Sequence, residues 1–190
     1  MVSDIPWQEK FKTFNKDKSD LGWFDYQPLY QHEINRIQTK PYRATFVEIG
    51  TYHGESASFM GDQIQASGKD IEFYTVDNKT KQFMKDGTQV ETGGPFGLKD
   101  HKFVNMINSD SSEASKFFED KSLDFVFIDG DHTNPKFEED LISWDPKIKF
   151  GGVIAGHDYL TSADVYHTVN KMYGEENILT IMPGSWYIRK

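Results

Sequence analysis

Residues 123 to 159, LDFVFIDGDHTNPKFEEDLISWDPKIKFGGVIAGHDY, constrain the fold more than any other stretch, because they read as one strand, helix, strand unit with polar residues at both strand ends. Leu123 to Ile128 is a short apolar run rich in β-branched and aromatic residues, as a strand buried on both faces requires, and it stops at Asp129-Gly-Asp-His. A helix should follow. Asn134 suits its N-cap and Pro135 its first position, with Phe137, Leu141, Trp144 and Ile148 at helical spacing and Lys149-Phe-Gly-Gly closing it. Val153 to Ala155 reads as the next strand, ending at Gly156-His-Asp-Tyr. A right-handed crossover then sets Asp129, Asp131, His132, His157 and Asp158 on one rim of a parallel sheet, where open α/β sheets bind ligands.

A chain of 190 residues fits a single domain, with residues 1–40 as a cap segment on a main unit of residues 41–190. The absence of cysteine excludes thiol catalysis and Cys-ligated metals. Residues 1–18 alternate charged and apolar side chains, so they lack a signal-peptide core, and no apolar run approaches a membrane span; a cytoplasmic protein is the expectation. The formal net charge of -9 argues against nucleic acid or anionic membrane as partner. A small-molecule substrate is expected, and a homodimer stays open.

In the cap, Trp7, Phe11, Phe14, Trp23, Phe24, Tyr26 and Tyr30 read first as packing anchors, with a substrate-closing lid as the alternative. A helix is expected near Gln27 to Gln38, with Leu29, Ile34 and Ile37 inward. Thr45 to Ile49 is the first strand of the main domain; Gly50-Thr-Tyr-His-Gly54 turns into a helix through Ser56, Ala57, Met60 and Ile64. Glu72 to Val76 forms a strand ending in Asp77-Asn78. Phe103 to Ile107 is the third, leading to Ser109-Asp110-Ser111, where Ser111 or Ser112 would cap a helix through Ala114, Phe117 and Phe118. Lys85 to Lys102 carries too much glycine for a helix and reads as a long loop, either a mobile lid or an ordinary excursion.

Five strand ends thus carry an acid: Glu48, Asp77, Asp110, Asp129 and Asp158. Their recurrence on one rim points to a ligand crevice. The first turn says which ligand. A dinucleotide fingerprint needs glycine two positions after Gly50, where this chain has Tyr52, and Glu48 just before the turn would repel a pyrophosphate while suiting an ammonium or sulfonium group. Asp77 is placed to accept both hydroxyls of a ribose.

F-I-D-G-D-H followed by G-G-V-I-A-G-H-D-Y, together with V-E-I-G-T-Y-H-G, resembles the class I S-adenosylmethionine-dependent methyltransferases. More narrowly, it resembles their small-molecule branch of macrocin O-methyltransferase type and, more distantly, the catechol type. The resemblance covers roughly residues 44 to 175 and departs from the commonest family pattern in lacking the middle glycine of the first turn. It implies a Rossmann-like, doubly wound α/β fold with a mostly parallel seven-stranded sheet, a C-terminal antiparallel hairpin and a small N-terminal cap. Asn177 to Met182, Pro183-Gly184 and Ser185 to Arg189 fit that hairpin, and Ser162 to Tyr173 a preceding helix with Val165, Val169 and Met172 inward and Gly174 as C-cap. By resemblance, S-adenosylmethionine would lie with its methionine side on Glu48, Gly50 and Gly54, together with Thr51, Tyr52 and Ser56. Asp77 and Asn78 would take the ribose, and Asp110 with Ser111 would lie beside the adenine. Asp129 would face the methionine amino group or a metal.

Methyl transfer from a sulfonium to a hydroxyl needs alignment and either a base or a metal at the acceptor. His132, beside Asp129 and Asp131, is the expected base; its alternative role is a helix-flanking residue bonded to Asp131. In the catechol-type relatives a divalent ion is held by residues that would correspond here to Asp129, His157 and Asp158. Histidine at position 157, where those relatives carry an acid, weakens the case for Mg²⁺ and leaves a softer ion or none as alternatives. A nicotinamide oxidoreductase, a catalytically silent cofactor-binding subunit and a hydroxylase resembling the cephalosporin hydroxylase group are the rival readings.

Overall fold

A computed structural model describes residues 24–39, 41–52, 54–78, 81–83, 89–91, 98–181 and 184–190. The expected anchors Trp7, Phe11, Phe14 and Trp23, and most of the glycine-rich loop, lie outside them.

The strands are β1 (Ala44–Ile49), β2 (Ile71–Asp77), β3 (Lys81–Phe83), β4 (Gln89–Glu91), β5 (Asn105–Asn108), β6 (Leu123–Ile128), β7 (Ile148–Gly156), β8 (Leu179–Ile181) and β9 (Ser185–Arg189). Seven form one sheet in the order β5-β2-β1-β6-β7-β9-β8. Neighbours from β5 to β7 pair in parallel, while β9 runs antiparallel to both β7 and β8. This is the doubly wound, mostly parallel sheet with a C-terminal antiparallel pair that the sequence implied. β3, just before the glycine-rich region, and β4, within it, pair antiparallel by themselves.

The period-two alternation of β1 sorts its side chains between two cores. Ala44 and Phe46 join Phe73, Phe125 and Phe127 on the face covered by helices α1 (Gln27–Arg36) and α2 (Glu55–Ser67). Val47 and Ile49 join Val126, Ile154 and Trp186 on the other, under α4 (Lys136–Trp144) and α5 (Ala163–Tyr173), while the four-residue α3 (Ser111–Ala114) adds Ala114. The cap helix is part of the first core: Leu29, Ile34 and Ile37 are buried, as expected, and Tyr30 meets Phe125 and Phe127 edge to face. Full burial of each such ring stabilises the fold by about 2 kcal/mol, so these described cap residues hold the segment down as packing anchors.

Several boundaries differ from the sequence reading. Asn134 does not cap α4; its side-chain amide bonds Thr168 Oγ1, Pro135 is itself the N-cap position, and the peptide between them is cis. The helix ends at Trp144, because Pro146 cannot donate an N–H; a 3₁₀ turn over Asp145–Lys147 follows and Ile148 begins a nine-residue strand, not a helix end. The third strand is Asn105–Asn108, since a turn over 101–104, closed by Val104 N–H on His101 O, takes the residues before it. Asp110, not Ser111 or Ser112, caps α3, accepting from Ser112 N. Met172 is 38% exposed, whereas Val165 and Val169 are buried as expected.

Candidate active site

The carboxyl ends of β1, β2, β5 and β6 converge on a cleft of about 430 Å³, within the range of small-molecule sites. Gly50 and Tyr52 wall it from the first turn, Asp77 and Asn78 from the second, Asp110 and Ser111 from the third, and Asp129 and Asp131 from the end of β6. The crevice inferred from polar strand ends is therefore present. Lys136 and Asp140, on α4, also line it and were not foreseen. Their helical positions face the sheet end, but nothing in their spacing distinguished them from a solvated surface. Burial pushes the Asp140 carboxyl up to about 6, against the opposing pull of the Ser111 hydroxyl.

The first turn is tightly specified. Gly50 has φ +92°, and a Cβ there would stand 2.1 Å from the Asp129 carbonyl oxygen, so only glycine lets the turn cross the end of β6. Tyr52 has φ +46°, and Gly54, at φ +81°, is the N-cap of α2. Asp77 Oδ2 accepts from the amides of both Thr51 and Tyr52, each at 3.1 Å. Asp77 thus faces the cleft while bracing the turn.

Glu48 does not face the turn. It has the same parity as Ala44 and Phe46, so it points into the core under α1, where it is fully buried. Tyr30 donates to its Oε2 at 2.6 Å and Thr75, its neighbour across the β1–β2 ladder, to its Oε1 at 2.9 Å. Burial pushes this carboxyl up to about 7 even though the Tyr30, Thr75 and Ser56 hydroxyls pull the other way. Thr51 and Ser56 are likewise buried beneath the turn and are not among the residues lining the cleft. Gly54 lines a separate shallow hollow beside Phe24 and Phe59.

Beyond the cleft, at the ends of β6 and β7, lies a compact cluster of acids and imidazoles. His132 Nε2 is 3.3 Å from both Asp129 Oδ1 and Asp158 Oδ2. One ligand atom from each of Asp129, His132 and Asp158 lies within 4.8 Å of the others, a spacing that could hold a metal ion. Asp131 is not part of this cluster; its Oδ1 accepts from Thr133 N and Oγ1, bracing the turn before α4.

His157 also takes a different place from the one expected of a metal ligand. Its Nδ1 lies 3.3 Å from Asp158 Oδ2 and its Nε2 3.1 Å from Asp25 Oδ1, so both ring nitrogens face carboxylates. Burial alone would lower its pKa, but the bonds to Asp158 and Asp25 and the charge of Asp129 outweigh it and hold the ring at about 10. With both ring nitrogens bonded to carboxylates, His157 is not among the described side chains whose ligand atoms lie close enough together to share an ion. It supplies positive charge among the carboxylates, and its bond to Asp158 holds that carboxyl well below the usual carboxylate range. Two cap residues complete the cluster: Asp25, on His157, and Tyr26, whose hydroxyl donates to Asp129 Oδ2 at 2.9 Å. The sequence signalled only that Tyr26 would be buried.

A family model described as a methyltransferase domain matches residues 47–159, more than half of the chain and the segment from β1 to the end of the acid and imidazole cluster. The chain belongs to this methyltransferase family. It is a class I S-adenosylmethionine-dependent methyltransferase, as the motifs at the strand ends implied. Curated proteins gave no match. Solved structures share the methyltransferase's fold at low identity. The O-methyltransferase NovP superposes with a TM-score of 0.61 at 14% identity, covering 86% of this chain and 78% of its own. Precorrin-6y C5,15-methyltransferase from Geobacter metallireducens GS-15 gives 0.55 at 16%, covering 80% and 70%. MycE, a methyltransferase from the mycinamycin biosynthetic pathway solved with Mg, SAH and mycinamycin VI, gives 0.55 at 14%, covering 97% of this chain and 53% of its own. Among the described residues of this methyltransferase, no helix is long and apolar enough to cross a membrane.

Proposed function

We propose that this methyltransferase acts on an oxygen of a small molecule, with His132 as the base that takes the acceptor's proton. The observation that carries the reading is the position of His132 Nε2 between Asp129 and Asp158, with Asp129 belonging both to the cluster and to the lining of the cleft. Two carboxylates on one nitrogen increase its affinity for a proton: the Asp129 hydrogen bond, acting against burial, raises the His132 pKa. The O-methyltransferase NovP shares the fold, which makes oxygen the first acceptor atom to test.

The cleft fits S-adenosylmethionine on this chain's own features. Gly50 opens the backbone, Asp77 stands where a diol would be accepted, and Asn78, Asp110 and Ser111 continue the wall for the ribose and base. When bound, the cofactor supplies a methyl group already activated by its sulfonium. The chain's residues align the acceptor and move one proton. The acceptor O–H would give its proton to His132 in its neutral form, leaving the oxygen free to receive the methyl group that the cofactor would supply. Asp129 and Asp158 stabilise the imidazolium that results.

A second reading rests on the same three side chains. Two carboxylates and an imidazole within reach of one point suit a divalent ion, and MycE was solved with Mg. Asp129, His132 and Asp158 would then hold it, and His132 could not also be the base. Methyl transfer to a panel of small hydroxylated acceptors, with and without chelator, separates the two. Transfer that survives chelator and is lost in His132→Ala supports the base; transfer lost to chelator and restored by a divalent ion supports the metal. No transfer to any oxygen acceptor would remove the proposal.

A further inference from the structure

The buried carboxyl of Glu48 has no part in the chemistry above, yet one of its hydrogen-bonding neighbours, Thr75, leads on through Thr51 to the turn that walls the cofactor cleft. We propose that Tyr30 and Glu48 are positioning residues for that cleft, acting through Thr75 and Thr51 on the turn that carries Gly50 and braces Asp77. The proposal rests on the reading of the cleft as the S-adenosylmethionine site.

The connection is continuous. Tyr30 Oη donates to Glu48 Oε2 at 2.6 Å, Thr75 Oγ1 donates to Glu48 Oε1 at 2.9 Å, and Thr51 and Thr75 join through their hydroxyls at 2.6 Å. While Glu48 is ionised and holds the Thr75 proton, the Thr51 hydroxyl donates to Thr75. The side chain of Thr51 is thereby fixed, and its amide, with that of Tyr52, meets Asp77 Oδ2. Glu48, Thr51 and Thr75 are no more than 1% exposed, so water cannot substitute for a missing partner.

The turn needs such a clamp. Gly50, Tyr52 and Gly54 all have positive φ, and for Tyr52 that conformation is unfavourable and must be held by its surroundings. A purely structural role for Glu48 is a poor account of the residue, since a well-packed apolar side chain at a buried strand position would serve stability as well or better. What an apolar residue could not do is pull Thr75, and through it Thr51, into register. The cap helix thus reaches the cofactor turn through four side chains without touching the ligand.

The test measures S-adenosylhomocysteine affinity by calorimetry and amide exchange at Thr51 and Tyr52 in the ligand-free protein. The set is wild type, Tyr30→Phe, Thr75→Val, their double variant, and Thr75→Ser, which keeps the hydroxyl. Expected results are affinity weakened by about threefold to tenfold in each single variant, as the loss of one neutral hydrogen bond allows, with exchange at both amides faster by a similar factor. The double variant should be no worse than the weaker single one, because both break one chain, and Thr75→Ser should bind like wild type. Variants that melt at lower temperature but bind and exchange like wild type would overturn the relay while leaving the cofactor site standing. Faster exchange with no binding by the wild type would overturn the cofactor reading, and the relay's function with it.

Discussion

Tyr26 donates a hydrogen bond of 2.9 Å to Oδ2 of Asp129, 103 positions further along the chain. That bond commits one oxygen of the carboxylate to the cap and leaves Oδ1 directed at His132. Tyr26→Phe keeps the ring against Phe127 and removes this tie together with the hydroxyl's bond to Ser56. It should cost about 1 kcal/mol, a melting shift of roughly 2 to 4 °C by calorimetry. An unchanged melting temperature would show that neither bond contributes to the fold.

Asp77→Asn separates the two duties of this side chain. An asparagine oxygen can still accept from the turn amides, but the charge that would strengthen bonds to ribose hydroxyls is gone. Affinity for S-adenosylhomocysteine should fall by about tenfold or more, with little change in stability. Equal affinity in the two proteins would restrict Asp77 to bracing the turn.

Glu48 makes stability depend on pH with a definite sign. Its folded pKa, about 7, lies above the ordinary 4.5, so its neutral form is the one the fold favours. The stabilisation is fully present below 4.5 and is lost as pH rises through 7, about 3 kcal/mol in all. Tyr30, Tyr26 and Asp129 are the titratable groups that act on it, and burial with the nearby carboxylates keeps both phenols neutral well above that range. Glu48→Gln mimics the neutral acid. Urea denaturation at pH 5 and pH 8 should therefore show the variant gaining on wild type at the higher pH; a constant difference would contradict the assignment.

His132→Ala tests the cluster without an acceptor through its metal content. If the side chain is a ligand, elemental analysis of protein purified with a divalent ion should find close to one ion per chain in wild type and a large loss in the variant. If it is the base, neither protein should retain stoichiometric metal. Retention by both would assign the ion to other residues.

The sheet was legible because its strands are apolar runs closed by glycine and acids, a pattern that buried parallel strands impose. The cleft residues Gly50, Asp77, Asp110 and Asp129 were legible because topology alone brings strand ends to one edge. Glu48 was misread for a reason present in the sequence: it shares parity with Phe46, and with both faces of the sheet covered it had to point into a core. His157 as a ligand was misplaced for another reason. Asp158 takes one ring nitrogen but Asp25 takes the other, and no local pattern relates positions as far apart as 25 and 157. The same holds for Tyr26, whose burial could be anticipated but whose partner could not. Asp131 lines the cleft as its strand-end position implied, but it stays out of the imidazole cluster because Thr133, two residues on, captures its carboxylate.

The central claim is that the cleft from Gly50 to Asp129 takes S-adenosylmethionine, and a thermal-shift measurement with S-adenosylmethionine, S-adenosylhomocysteine and NAD tests it most directly. At ligand concentrations about one hundred times Kd the folded state gains ~2.7 kcal/mol, so either adenosyl ligand should raise the melting temperature by roughly 5 to 10 °C while NAD leaves it unchanged. A rise with NAD alone, or with none of the three, would contradict the account.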